Sequence, residues 1–151
     1  MGTCYVAVVG PSEASADEMA RAETVGRLLG EAGAVVVCGG LGGVMEAASR
    51  GAAGAGGSVV GLLPGSDRGA ANPHVTLAIP TGLGEMRNPL VVRAADAVVA
   101  VGGAYGTLSE IAFALRTGKP VVGLGTWALD DVVDAPDPEA AVALALELAR
   151  E

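Results

Sequence analysis

Glycine-rich turns follow three of the short apolar runs in this sequence, and their residue types suit the binding of an anion. The turns occupy residues 10–12, 39–43 and 102–107. Glycine lets a ligand approach the backbone closely, and the helix that follows such a turn points free N–H groups and the positive end of its dipole at the same space. The second and third turns together predict a phosphate site, although each turn alone also fits a tight connection without a ligand.

Two charged residues near predicted helix starts could act on such a ligand. Arg87 stands where a cation opposes the helix dipole, so local stability does not account for it, whereas a ligand phosphate or a carboxylate would. The alternative is a solvated or salt-bridged arginine. Glu110 closes the pattern Thr107-x-x-Glu110, which is a capping box, so it either caps its helix, faces the ligand or does both. Glu46 is ambiguous in the same way.

Short apolar runs alternate with amphipathic stretches, which predicts an α/β fold. Strands are predicted at residues 5–9, 34–38, 58–63, 75–79, 97–101 and 121–124. Helices are predicted from the capping box Ser15-x-x-Glu18 to Gly33 and at residues 44–53, 84–95, 107–117 and 139–150, with residues 125–138 irregular. Right-handed crossovers then give a Rossmann-like, doubly wound parallel sheet in a single domain over residues 1–151. Ligands bind such sheets beyond the carboxyl ends of the strands, so we expect the turns, Arg87 and Glu110 to converge on one cleft there.

Composition and charge exclude several classes of protein. The net charge of −8 argues against a nucleic-acid partner, which needs a basic face. No apolar run approaches the roughly 18 residues that span a bilayer, and no signal-peptide pattern opens the chain, so we expect a cytoplasmic protein without membrane contact. Two cysteines and one histidine that do not cluster predict no metal site, and we expect Cys4 and Cys38 to be buried reduced thiols.

Three nucleotide-handling or hydrolytic motifs are missing. The dinucleotide pattern G-x-G-x-x-G fails because Met45 stands where its third glycine belongs. Gly118-Lys119 resembles the end of a P-loop, but Pro120 replaces the required Ser or Thr. No G-x-S-x-G elbow is present. The sequence therefore disfavours an NAD oxidoreductase, a P-loop ATPase and an α/β-hydrolase.

Residues 39–47, Gly-Gly-Leu-Gly-Gly-Val-Met-Glu-Ala, and the run from Val59 to Pro64 resemble the first signature of the LOG superfamily, long mislabelled "lysine decarboxylase". Its second signature is an arginine and then P-G-G-x-G-T-x-x-E, matched here by Arg87 and residues 102–110. The match covers residues 6–124. Three positions depart from it: Gly102 replaces the proline, Ala104 the second glycine, and Asn88 a lysine. Residues 81–89 are more similar to the small single-domain branch that includes molybdenum cofactor carrier proteins.

The resemblance implies two alternative functions. In the LOG enzymes the arginine and glutamate carry out hydrolysis of the N-glycosidic bond of nucleoside 5′-monophosphates, which makes Arg87 and Glu110 the candidate catalytic residues. In the carrier branch the same fold holds a phosphate-bearing pterin without a reaction, so the molybdenum cofactor would be cargo. The departures favour a carrier or binding protein over the phosphoribohydrolase, and whether the chain is an enzyme stays open. A sensor module is a third, less favoured, reading.

The predicted ligand contacts follow from the turns and from the family positions. They are Gly10, Ser12, Gly39, Gly40, Gly42, Gly43, Met86, Asn88, Gly102, Gly103, Tyr105, Gly106 and Thr107. A separate feature bears on assembly. The helix predicted at residues 84–95 is apolar on more than one face, through Leu90, Val91, Val92 and Ala94, so we expect it to be covered on both sides, either within the domain or by a partner copy, and we expect a homodimer or homotetramer.

Overall fold

In the computed structural model, which describes residues 2–151, a seven-stranded parallel sheet is flanked by five α-helices. The strands are β1 Tyr5–Val9, β2 Val35–Cys38, β3 Val59–Leu63, β4 Leu77–Pro80, β5 Ala97–Val101, β6 Val121–Leu124 and β7 Val132–Asp134. The helices are α1 Ala16–Glu31, α2 Val44–Gly54, α3 Asn88–Arg93, α4 Tyr105–Arg116 and α5 Pro138–Ala149. The strand order is β4-β3-β2-β1-β5-β6-β7, which confirms the predicted doubly wound α/β fold and places its switch point between β1 and β5.

The central strands are runs of valine and alanine because both faces of the sheet are covered. All five residues of β5 are buried. In β1, Val6 and Val8 face the layer of α1, α2 and α5, whereas Ala7 and Val9 face the layer of α3 and α4. Side chains of a strand alternate between its two faces, so neighbouring residues at the end of β1 face opposite helix layers.

Helix α1 begins and ends as the sequence predicts. The Glu18 amide donates to Ser15 Oγ at 3.1 Å, and the Ser15 amide donates to Glu18 Oε1 at 2.9 Å, so the capping box is formed. Gly33 follows the helix with a φ of 78°, the left-handed conformation of a glycine C-cap. Among the described residues, no helix is long and apolar enough to cross a membrane.

The segment 125–138 is not wholly irregular, so this prediction was wrong in part. Residues Val132–Asp134 form β7, which pairs in parallel with β6 through Val121 and Val132. The prediction that β6 is the last strand was therefore wrong. The sequence did not indicate β7, because three residues are too few to show a period. Strand β4 starts two residues later than predicted, because residues 72–75 form a turn in which the Val75 amide donates to the Asn72 carbonyl at 3.3 Å.

The predicted helix at residues 84–95 is divided into two parts. Residues Gly84–Arg87 form a 3₁₀ turn, and α3 follows at Asn88–Arg93. Pro89 has no N–H to donate to the carbonyl of residue 85, so regular α-helical bonding cannot run through it towards the N-terminus. Arg87 is therefore the residue at the junction, immediately before α3.

Helix α4 begins at Tyr105, two residues before the predicted start. Ala104 is the N-cap, with an extended backbone (φ −124°, ψ 177°) and no side-chain acceptor. Thr107 then lies within the first turn, so the predicted capping box with Glu110 is not formed. Glu110 therefore does not cap the helix, which was one of the two roles that the sequence predicted for it.

Candidate functional site

A cleft of about 320 Å³ lies at the carboxyl edge of the sheet, beside the switch point between β1 and β5. Residues after β1, β2 and β3, the junction before α3 and the first turns of α4 contribute to its wall. The predicted residues that line it are Gly10, Ser12, Gly39, Arg87, Asn88, Gly106, Thr107 and Glu110. The expected convergence of the two later turns with Arg87 and Glu110 is therefore present in the geometry.

Other predicted residues do not line this cleft. They are Gly40, Gly42, Gly43, Met86, Gly102, Gly103 and Tyr105. Met86 points to solvent with 72% of its surface exposed. Tyr105 is 84% exposed and stacks on Trp127, with ring centroids 6.1 Å apart. The Trp127 indole donates to the Ala104 carbonyl at 3.1 Å, so this aromatic pair holds the turn before α4 from outside the cleft.

Several lining residues were missed by the sequence analysis. They are Val8, Val9, Pro11, Leu41, Met45, Pro64, Glu85 and Ala104. Most are apolar, so nothing in their chemistry marks them. Their position was the available signal, because each lies in or near a strand end or a turn that reaches the carboxyl edge of the sheet.

Close packing within the protein accounts for two glycines of the turn after β2. Gly43 has a φ of 65°, and a Cβ there would collide with the carbonyl oxygens of Pro11 and Ser12. A Cβ on Gly39 would meet Met45 Sδ at 2.6 Å and the Arg87 guanidinium. These close approaches explain Gly39 and Gly43 without a ligand, whereas a Cβ on Gly42 would meet only the Ser12 carbonyl oxygen, at 4.0 Å.

Arg87 is 8% exposed and is held by three acceptors. Its Nε donates to the Leu62 carbonyl at 2.7 Å, its Nη2 donates to the Gly39 carbonyl at 3.2 Å, and its Nη1 donates to Asn88 Oδ1. Burial lowers the pKa of the guanidinium, and the charge of Glu110 opposes that shift. Within the described part of the chain Arg87 forms no ion pair within 4.0 Å, so it is neither solvated nor salt-bridged and ties the ends of β2 and β3 together.

The start of α4 differs, because a residue that lines the cleft there has a buried polar side chain without a partner. Thr107 is 2% exposed, and its Oγ1 has no hydrogen-bond partner. Gly106 lies in the same turn, and no atom comes within 4 Å of the position that its Cβ would occupy. The first N–H groups of a helix have no partner within the helix, and the Ala104 side chain offers none.

Glu110 lies one turn further along α4 and lines the same cleft. Burial raises the pKa of its carboxyl to about 7, against the opposing effect of the Arg87 charge. A carboxyl with this pKa exchanges a proton near neutral pH, so it can be a hydrogen-bond donor or an anion under ordinary conditions.

No group of three or more His, Cys, Asp or Glu side chains that could hold a metal ion occurs among residues 2–151. The two cysteines of the described chain are free thiols; Cys38 is buried, but Cys4 is only partly so, which corrects the expectation for that residue. Burial raises the pKa of the Cys38 thiol.

A family model described as the SLOG cluster4 family matches residues 3–149. The chain belongs to the SLOG cluster4 family. An uncharacterized protein of Archaeoglobus fulgidus is 44% identical over 124 residues, which cover 82% of each chain. Membership in this family confirms the resemblance that residues 39–47 and 102–110 indicated.

Two solved structures are similar over nearly the whole chain. The molybdenum cofactor binding protein of Rippkaea orientalis has a TM-score of 0.93 and 35% identity, covering 98% of each chain. The molybdenum cofactor carrier protein of Chlamydomonas reinhardtii has a TM-score of 0.91 and 33% identity, covering 99% of this chain and 100% of that one. Both belong to the branch to which residues 81–89 were found similar.

Proposed function

We propose that this SLOG cluster4 protein binds a phosphate-bearing pterin, the molybdenum cofactor, as cargo in the cleft between β1 and α4. The similarity to the molybdenum cofactor proteins of Rippkaea orientalis and Chlamydomonas reinhardtii supports the class of ligand. The observation that carries the proposal in this chain is the orphaned Thr107 hydroxyl beside Gly106.

The start of α4 suits the phosphate of the ligand. A buried hydroxyl without a partner costs about 1–3 kcal/mol, and a glycine within a helix costs roughly 0.5–1 kcal/mol relative to alanine. Nothing in the fold offsets either cost at Thr107 or Gly106. A phosphate oxygen over Gly106 would accept hydrogen bonds from the Thr107 hydroxyl and from the free N–H groups of the first turn, with the helix dipole favouring its charge.

The rest of the cleft suits a planar ring. Leu41, Met45 and Pro64 give it an apolar wall, and Asn88 and Ser12 offer polar atoms beside it. The buried charge of Arg87 lies at the same cleft although its hydrogen bonds go to the protein. We therefore assign Arg87 an electrostatic and positioning role, with no direct bond to the phosphate.

Phosphoribohydrolysis is the second candidate, and the Glu110 carboxyl favours it. A pKa of about 7 suits a general acid or base, and a carboxylate can stabilise the positive charge that develops on ribose when an N-glycosidic bond breaks. Against it, Ala104 replaces the family's glycine in the turn before α4, and Asn88 replaces the lysine that follows the family's arginine. Catalysis needs Glu110 placed to within about 1 Å, whereas binding does not.

The decisive experiment combines ligand identification with an activity screen. Protein purified natively and without oxygen is denatured, and the released small molecules are identified by mass spectrometry. In parallel, nucleoside 5′-monophosphates are incubated with the wild-type protein and with Glu110→Gln, and free base is measured. A pterin phosphate without base release supports the carrier function. Base release by the wild-type protein that Glu110→Gln abolishes would favour the hydrolase instead.

We also propose that the protein is a cytoplasmic homo-oligomer. Five exposed large apolar residues lie close together in sequence from β4 to α3, namely Leu77, Ile79, Leu83, Met86 and Leu90. Exposed apolar surface of this kind is typical of a contact between subunits. The two free thiols suit a reducing compartment. Sedimentation of a monomer at micromolar concentration would contradict the oligomer.

A further inference from the structure

A buried polar cluster outside the cleft holds the turn that follows β2. It consists of Cys38, Ser49 and Asn72, each at most 8% exposed, and none of the three lines the cleft. Asn72 comes from the connection between β3 and β4, far along the chain from the turn. The resemblance to the LOG signatures does not include it.

Every polar atom of this cluster has a defined partner. Ser49 Oγ donates its one hydrogen to the Met45 carbonyl at 2.7 Å. The contact of 3.5 Å between Ser49 Oγ and Cys38 Sγ therefore uses the thiol hydrogen, and Cys38 Sγ in turn accepts from the Gly40 amide at 3.4 Å. The Asn72 amide also donates to Ser49 Oγ, at 3.4 Å. A cluster with all of its donors and acceptors used is rigid, because any change leaves a buried group unpaired.

Asn72 fixes two consecutive carbonyls of the turn. Its backbone N–H donates to the Gly40 carbonyl at 2.9 Å, and its side-chain Nδ2 donates to the Leu41 carbonyl at 2.9 Å. Its Oδ1 accepts from the His74 amide at 3.0 Å, which holds the side chain in place. Leu41 lines the cleft, and Gly39, which also lines it, is bonded through its carbonyl to Arg87.

We propose that Asn72 is a positioning residue of the ligand site, which sets the path of residues 39–41 and so the shape of the cleft wall opposite α4. The inference rests on the proposed function, because it assigns Asn72 to the ligand that the cleft would hold. An apolar residue at position 72 would leave the Leu41 carbonyl without its side-chain donor, so this part of the turn would lose a constraint that only a polar side chain supplies. A polar cluster specifies one backbone path for the turn.

The test compares Asn72→Ala with a matched control in the same connection. The control is Thr76→Val, which removes the Thr76 hydroxyl. Thr76 Oγ1 accepts a hydrogen bond from the Val59 amide at 3.0 Å. Val59 is the first residue of β3, at the end of the strand away from the cleft. Both variants remove one side-chain hydrogen-bonding group from residues 64–76. Asn72→Ser is a second variant in case the alanine variant does not fold.

Two measurements are made on each protein. Hydrogen–deuterium exchange of residues 39–45 reports the order of the turn without a ligand. The dissociation constant is measured with molybdenum cofactor released from a purified molybdoenzyme, by following the fluorescence of Trp127, the only tryptophan. We expect faster exchange of the turn in Asn72→Ala. We also expect a dissociation constant raised about tenfold, the low end of the loss seen when a residue that orients a metal ligand is removed.

The control should melt lower but bind with a dissociation constant within about twofold of the wild type, as expected for a residue whose hydrogen bond lies far from the site. Unchanged affinity or unchanged exchange in Asn72→Ala overturns the inference and leaves the proposed function standing. An equal loss of affinity in Asn72→Ala and Thr76→Val also overturns it, because the effect would then be one of general stability. Failure of the wild-type protein to bind the cofactor overturns the proposed function, and with it the role of Asn72 in binding.

Discussion

The two glycine-rich turns that flank the cleft look alike in sequence and differ in what they leave unsatisfied. In the turn after β2, Gly39 and Gly43 pack against protein atoms, and the carbonyls of residues 39–41 are all bonded. At the start of α4, Gly106 faces open space and Thr107 Oγ1 has no partner. Glycine content alone therefore does not mark a ligand contact. The contact that we propose at α4 is therefore based on the unpaired hydroxyl and the open space, not on glycine content.

We therefore expect the two turns to have different roles. The turn after β2 is a rigid wall, fixed by Asn72 and Arg87. The start of α4 is the part that we propose to meet the phosphate. Substitutions in the first turn should therefore cost stability, and substitutions in the second should cost affinity.

The largest expected effect is on stability, from Gly43→Ala. The new Cβ would meet the Pro11 and Ser12 carbonyl oxygens, and alanine is strained at a φ of 65°. We expect a loss of about 3 kcal/mol or more, since strain and a backbone collision add. For a chain of this size that lowers the melting temperature by roughly 6 °C or more, measurable by calorimetry. A melting temperature within about 1 °C of the wild type would mean that the turn is not the rigid wall described here.

Arg87→Met should have the next largest effect. It leaves the Leu62 and Gly39 carbonyls without their donor, and each buried unpaired group costs about 1–3 kcal/mol. Because the substitution also removes the cost of burying the guanidinium charge, we expect a net loss at the lower end of the sum, about 2–3 kcal/mol, in urea unfolding. The matched control is Arg93→Met, at the exposed end of the neighbouring helix α3, which should change stability by about 0.5 kcal/mol or less. Equal losses in the two variants would contradict the structural role of Arg87.

Glu110→Gln should remove a pH dependence of stability. Because the folded state raises the pKa of Glu110 from 4.5 to about 7, the folded protein holds more protons than the unfolded chain between these values. Wild-type stability should therefore fall relative to Glu110→Gln as the pH rises from 4.5 to 7, and the difference should level off above 7. Glu85→Gln, which changes a second carboxylate of the cleft, is the control in a series of melts. Parallel curves for the wild type and Glu110→Gln would contradict the raised pKa.

Among these variants, Gly106→Ala should change stability least, and it should stabilise the protein, whereas Gly43→Ala and Arg87→Met destabilise it. Alanine in the first turn of α4 meets no atom and reduces the entropy lost on folding, so we expect a gain of roughly 0.5–1 kcal/mol. Affinity for the cofactor should fall, because the methyl group would occupy the space proposed for the phosphate. A variant that is more stable and binds equally well would place the ligand elsewhere.

Local patterns predicted most of the fold and part of the site. The buried valine runs gave β1, β2, β5 and β6 nearly to the residue, and the capping box gave the start of α1. The cleft followed from topology, since strand ends of a doubly wound sheet meet at one edge. The strand β7 was missed because its three residues show no period, and its place depends on pairing with β6.

Long-range contacts account for what the sequence could not show. Two of the three hydrogen-bond partners of Arg87 are 25 and 48 residues away, so nothing near it in the sequence indicates that it joins the ends of β2 and β3. Asn72 reaches back 31 residues to Leu41. The start of α4 at Tyr105 turned a predicted cap, Thr107, into an unpaired hydroxyl, and local capping rules describe both arrangements equally well.

The most direct test of the central claim is the affinity of Thr107→Val for molybdenum cofactor, measured beside Thr107→Ser. Valine has the shape of threonine without its hydroxyl, whereas serine keeps the hydroxyl. A hydrogen bond to a charged group contributes about 1.5–3 kcal/mol, so Thr107→Val should weaken binding about 10- to 100-fold, while serine stays close to the wild type. Because the lost hydroxyl has no partner in the fold, the valine variant should be at least as stable as the wild type. Wild-type affinity in Thr107→Val would contradict the proposal that α4 holds the phosphate.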